Sequence, residues 1–114
     1  MALGELEKRV MDVLWTDATL SLTVREVAGQ FPDHAYTTIM TVLSRLASKG
    51  YVVESKAGRA NHYRAAGSRE SFVASLMAEA LSSADDRAVV LARFAESMNS
   101  DDRQILAKLM RRKS

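Results

Sequence analysis

Between Ala35 and Lys49, Thr37, Thr41, Ser44 and Ser48 recur at i, i+4, i+7 and i+11, with Thr38 and Arg45 beside them. On a helix this spacing sets the hydroxyls on one side and leaves Ile39, Val42, Leu43, Leu46 and Ala47 on the other. No acidic residue occurs between Asp33 and Glu54. A solvated helix face usually carries Glu and Lys in pairs; this one carries small hydroxyls and one long cation. That is the chemistry a DNA major groove accepts. Phosphate oxygens repel carboxylates and accept from Thr and Ser, guanine O6 and N7 can take a bidentate Arg, and the Thr methyl fits against the thymine methyl. The N-terminal part of such a helix normally meets the bases, so Thr37, Thr38 and Thr41 are the base-edge candidates. Ser44, Arg45 and Lys49 continue the surface toward bases or phosphates. A surface helix that merely happens to be rich in Thr and Ser is the plain alternative.

A second group of cations follows. Lys56, Arg59 and Arg64 lie about a Gly-containing turn and the segment after it, suited to phosphates beside a groove. Such contacts confer affinity and salt dependence but read no sequence. Mapped along the chain, residues 1–33 carry Lys8, Arg9 and Arg25 against Glu5, Glu7, Asp12, Asp17, Glu26 and Asp33. Residues 34–69 carry six Lys or Arg against Glu54 alone, and residues 70–114 balance seven against seven. The overall charge of +2 thus conceals a basic middle third, as expected for a polyanion partner. A solvated basic face is the alternative on charge alone.

Catalysis has little to stand on. The chain has no Cys, which excludes thiolate metal sites, disulfides and cysteine nucleophiles. His34 and His62 have no partner at metal-ligand spacing, and neither a phosphate-binding Gly-rich loop nor a nucleophile elbow occurs. Asp85-Asp86 and Asp101-Asp102 sit where helices should open, the ordinary place for acids. No enzyme activity, cofactor or metal is expected.

Helical periodicity covers about residues 3–16 through Leu3, Leu6, Val10, Val13 and Leu14. Leu20 and Leu22 alternate with polar residues as in a short strand. Thr23 with Glu26 forms a capping box for a short second helix, and Phe31-Pro32-Asp33-His34 is the turn before the hydroxyl-bearing helix. Gly50 supplies its stop. The period then changes: residues 51–55 and 61–65 read as strands about a turn at 56–60, where Gly58 tolerates positive φ. Helices opening near Ser68, Asp85 and Ser100 fill the rest. The expected fold is mainly α with a small β-hairpin. A winged helix-turn-helix DNA-binding domain (residues 1–67) precedes a three-helix dimerisation region (residues 68–114).

Those last helices carry more apolar residues than three short helices can enclose, among them Leu76, Leu81, Val90, Phe94, Leu106, Leu109 and Met110. Pairing with a second copy would cover them, and a dimer would read two half-sites of an inverted repeat. The N-terminus lacks a signal-peptide pattern and no stretch is apolar enough for a membrane span, so a cytoplasmic protein without membrane contact is expected.

The whole pattern resembles the penicillinase-repressor family of winged-helix transcriptional regulators. The resemblance rests on Leu6, Val10-Met11 and Leu14-Trp15 in the first helix and on Tyr36-Thr37-Thr38, Thr41, Arg45-Leu46 and Lys49-Gly50 in the third. Gly58-Arg59 and Tyr63 carry it in the wing. It implies a homodimeric repressor that occludes a promoter dyad in double-stranded DNA, with Thr37, Thr38, Thr41 and Arg45 in the recognition helix and Arg59 in the wing. In the antibiotic-responsive branch a regulatory protease cuts just before a Phe in the C-terminal region. The similar place here is Arg93-Phe94, with Arg where those repressors carry Asn. The copper-responsive branch uses C-terminal cysteines, which this chain lacks. The reading from a different class is a winged-helix module for protein–protein association without specific DNA binding.

Overall fold

Val10, Met11 and Leu14 fall on one stripe of α1 (Glu5–Thr16) and are buried, which is why this segment can only be a helix packed on a core. The computed structural model describes residues 3–17 and 19–113; Ala18, within the expected break at 17–23, lies outside them. Two compact units are present, one within residues 1–76 and one within 77–114.

In the first unit, β1 (Leu22–Thr23) leads directly into α2 (Val24–Ala28). The capping box read from the sequence is formed. The Glu26 N–H donates to Thr23 Oγ1 at 3.2 Å, and the Thr23 N–H donates to Glu26 Oε1 at 2.9 Å. The Thr23 N–H, and then the Thr23 hydroxyl donating to the same Oε1 at 3.2 Å, hold the Glu26 carboxyl below its usual pKa. Phe31 is buried in the turn that follows, with the Arg9 guanidinium 5.1 Å above its ring.

Helix α3 (Tyr36–Ser48) buries Ile39, Val42, Leu43 and Leu46 against α1 and α2. It ends in a Schellman motif. The Tyr51 N–H donates to the Leu46 carbonyl and the Gly50 N–H to that of Ala47, both at 3.0 Å, with Gly50 at φ +84°.

Strands β2 (Val52–Ala57) and β3 (Ala60–Ala65) pair antiparallel, and β1 joins the far edge of β3, giving the order β1-β3-β2. The register sets Val52 opposite Ala65, Glu54 opposite Tyr63 and Ala57 opposite Ala60. The hairpin is longer than the sequence suggests. Lys56, Ala57 and Ala60 belong to the ladder, and the turn shrinks to Gly58-Arg59. Gly58 has φ +67°, and among the described residues only Gly50 shares a positive φ. This is the pattern of a type II′ turn, whose twist suits paired strands. Val52, Tyr63 and Ala65 point to the core; beyond them the hairpin projects clear of it.

Helix α4 (Arg69–Ser82) opens at Ser68, whose Oγ accepts the Ser71 N–H. Its first turns lie on the first unit. Phe72 stands between Trp15 and Tyr51, with ring centroids 5.3 and 4.8 Å away, and Arg69 bonds Asp12 at 2.8 Å while covering the Trp15 ring. The second unit holds the end of α4, α5 (Arg87–Ser97) and α6 (Ser100–Lys113). Asp86 caps α5 through the Val89 N–H, and Asn99, one residue before the expected start, caps α6 through the Asp102 N–H. The Arg103 guanidinium donates to the carbonyls of Ala95, Glu96 and Met98, closing the C-terminal end of α5.

Candidate nucleic-acid interface

The polar side of α3 is free because its apolar side is committed to the core. Thr37, Thr38, Thr41, Ser44, Arg45 and Ser48 are all exposed. No acid stands in the first turn of α3, and Ala35 before it offers no side-chain cap. The N-terminal end of the helix therefore keeps its positive dipole without a local carboxylate.

Between this face and the hairpin runs an open cleft of about 950 Å³. Its floor is Met40, Thr41, Ser44, Arg45 and Ser48 of α3; Thr23, Val24 and Arg25 close one end, and Glu54, Arg59, Ala60, Asn61 and Tyr63 form the hairpin wall. The fold thus gathers Thr41, Ser44, Arg45, Lys49 and Arg59 of the expected site around one concavity. Among the described residues Arg25, Arg45 and Arg59 make no ion pair or side-chain hydrogen bond, so their charge faces solvent.

The remaining expected residues have other surroundings. Thr37 and Thr38 stand on the exposed first turns of α3, outside the cleft walls. Lys56 shares the sheet face of Glu54 and Tyr63 nearer the tip. Arg64 pairs with Val53 on the opposite sheet face, because side chains alternate along a strand. The Lys49 ammonium contacts Glu7 Oε2 of α1 at 2.9 Å. The Thr41 hydroxyl donates to the Thr37 carbonyl at 3.0 Å, which leaves its methyl and its acceptor lone pairs for a ligand.

Arg25, Tyr36 and Asn61 line the cleft but are not among the site residues expected from the sequence pattern. Arg25 lies in the acidic N-terminal third, and only the docking of α2 beside α3 brings it here. Tyr36 enters the sequence reading only through the family resemblance. Asn61 and Glu54 meet through the strand register: Glu54 Oε2 accepts from Tyr63 Oη at 2.5 Å and from Asn61 Nδ2 at 3.2 Å. Burial, then the Glu54 carboxylate, pushes the Tyr63 hydroxyl above its ordinary pKa, so it stays a donor. Among the described residues no group of three or more His, Cys, Asp or Glu could hold a metal ion.

Two helices joined by a tight turn, the second with an acid-free polar face, and a basic hairpin beside it define a winged helix-turn-helix protein. A model of the penicillinase repressor family matches residues 3–112, and the chain belongs to that family. Among curated relatives, the transcriptional regulator BlaI of Mycobacterium tuberculosis, from strains CDC 1551 / Oshkosh and ATCC 25618 / H37Rv, is 39% identical over 113 residues. The match covers 95% of this chain and 82% of each relative.

Proposed function

We propose that the protein is a DNA-binding transcriptional repressor that acts as a homodimer, setting two α3 helices into successive major grooves of an inverted repeat and so occluding a promoter. The observation that carries this reading is the outer face of α3, which offers hydroxyls and Arg45 with no carboxylate, beside a cleft rimmed by unpaired arginines. With α3 in the major groove, the adjoining phosphate strand runs through the cleft between α3 and the wing. Thr37, Thr38, Thr41, Ser44 and Arg45 then face bases or the nearest phosphates, and Arg25, Arg59 and Lys56 hold the backbone. Family membership and the regulator title of the relatives support the same role. The reading contains no catalytic step.

Dimerisation is supported by the second unit. None of its described residues is buried, and Val90, Leu91, Phe94, Leu106 and Leu109 are all exposed by 40% or more. An apolar groove of about 340 Å³ between Met77, Leu81, Val90, Leu91 and Phe94 has the character of a half-interface. Leu81 is half-buried there, and Leu76, earlier in α4, is half-buried as well. Relief by a regulatory protease at Arg93-Phe94 rests on the family resemblance. That bond lies within α5, so cutting it requires the helix to unwind locally. No helix among the described residues is long and apolar enough to cross a membrane, which is compatible with action in the cytoplasm.

The test is selection of bound duplexes from a random library, followed by sequencing. Enrichment of one inverted repeat is the expected result. No enriched motif from folded protein at moderate salt would favour the protein-association module instead.

A further inference from the structure

We propose that Glu54 is a specificity-determining residue, a fixed negative charge on the wing that penalises DNA held only by its phosphates; this rests on the cleft being the DNA-binding surface. Glu54 is the single acid in residues 34–69 and the single carboxylate among the cleft walls. Three arginines line the same cleft, yet Glu54 pairs with none of them. It is held by neutral donors instead, the Tyr63 hydroxyl at 2.5 Å and the Asn61 amide at 3.2 Å, both on Oε2. Its charge is therefore held in place without being cancelled, and Oε1 has no hydrogen-bond partner among the described residues.

A carboxylate only accepts, and so does a phosphate. Any pose that presses the DNA backbone against this wall brings two anions together, whereas the exocyclic amines of cytosine and adenine can donate to it. Binding without sequence readout depends almost wholly on phosphates, so it carries the full penalty. In the specific complex a cytosine or adenine amine donates to Glu54 and offsets part of that penalty, so the specific mode loses less free energy than the nonspecific one. Because specificity is a difference of affinities, a charge that weakens both modes unequally sharpens it.

Glu54→Gln separates charge from architecture, since the Gln carbonyl still accepts from Tyr63. Glu70→Gln removes the same charge from α4, outside the cleft. Each variant and the parent chain are titrated with a shuffled duplex of about 30 base pairs, room for two half-sites, and with the selected inverted repeat, over a range of salt. Glu54→Gln should bind the shuffled duplex about three- to tenfold tighter at low salt, the effect of one surface charge, and the selected repeat by a smaller factor. Its log–log salt dependence should steepen by about one. Glu70→Gln should bind the shuffled duplex nearly as the parent does. Unchanged or weaker binding of the shuffled duplex by Glu54→Gln overturns the proposal, and so does an equal gain on the selected repeat, or an equal gain in Glu70→Gln, which would trace the effect to net charge. If Glu54→Gln does not fold, Glu54→Ser provides the same removal of charge. A parent chain that binds no duplex even at low salt removes the DNA reading itself, an outcome distinct from all of these.

Discussion

Lys49 Nζ lies 2.9 Å from Glu7 Oε2, joining the end of α3 to the first turn of α1 across 42 positions of sequence. The Gly4 N–H, donating to Glu7 Oε1 at 3.0 Å, and then Lys49 hold the Glu7 carboxyl below the usual carboxylate range, against a smaller opposing effect of burial. A carboxyl whose pKa is lower in the folded state contributes stability above its unfolded pKa and loses it as pH falls through the folded value. Glu7→Gln should therefore cost about 0.5–1 kcal/mol near neutral pH, a small figure because Lys49 is substantially solvated. The difference should shrink as pH falls through the lowered pKa of Glu7 and vanish at an acid pH below it, where both chains are uncharged at this position. Urea unfolding at the two pH values measures it, and a gap that persists in acid would assign the effect to packing.

Leu43 is fully buried at the centre of α3 and packs in the core formed with α1 and α2. Leu43→Ala should lower unfolding stability by about 2–5 kcal/mol through lost transfer energy and the cavity left behind. Thermal unfolding reports it. A loss well below that range would mean the helices close around the gap.

Arg59 and Thr38 are assigned opposite kinds of contact. Arg59→Ala should weaken binding to every duplex by a similar factor and flatten the salt slope by about one, as expected for a phosphate contact. Thr38→Val should shift the sequence preference while leaving the salt slope intact. Binding of the selected and shuffled duplexes across salt distinguishes the two, and exchanged effects would reverse the assignments. Arg25→Ala should behave like Arg59→Ala, because both line the same cleft.

In the second unit, Leu106 and Leu109 lie exposed on α6. Replacing both with Glu should yield monomers in sedimentation while leaving the unfolding of residues 1–76 unchanged. Burying carboxylates in an apolar contact is far costlier than exposing them on a lone helix. Persistent dimers would move the interface to another face.

Much of the first unit was legible because its signals are local. The stripe through Val10 and Leu14, the Thr23 and Glu26 box, the stop at Gly50 and the turn at Gly58 each depend on residues within a few positions of one another, whereas Met11, buried beside them, was not part of the stripe read from the sequence. The hydroxyl face of α3 was legible for the same reason: once the apolar residues define a buried side, the other side is fixed by 3.6 residues per turn. The alternation of side chains along a strand likewise separates Arg64 from Tyr63 on sequence grounds alone, since adjacent strand residues face opposite ways.

What the sequence by itself determined, then, is the run of elements, the acid-free face and the apolar excess of the last helices. Only the tertiary structure decided which distant groups meet: Arg25 and Arg45 lining one cleft, Lys49 against Glu7, and Phe72 between Trp15 and Tyr51. Helix and turn patterns arise from bonds between near neighbours, whereas these pairings depend on how whole elements pack. A shift of one turn in α2 or of one residue in the β2–β3 register would leave every local pattern intact and dismantle the cleft.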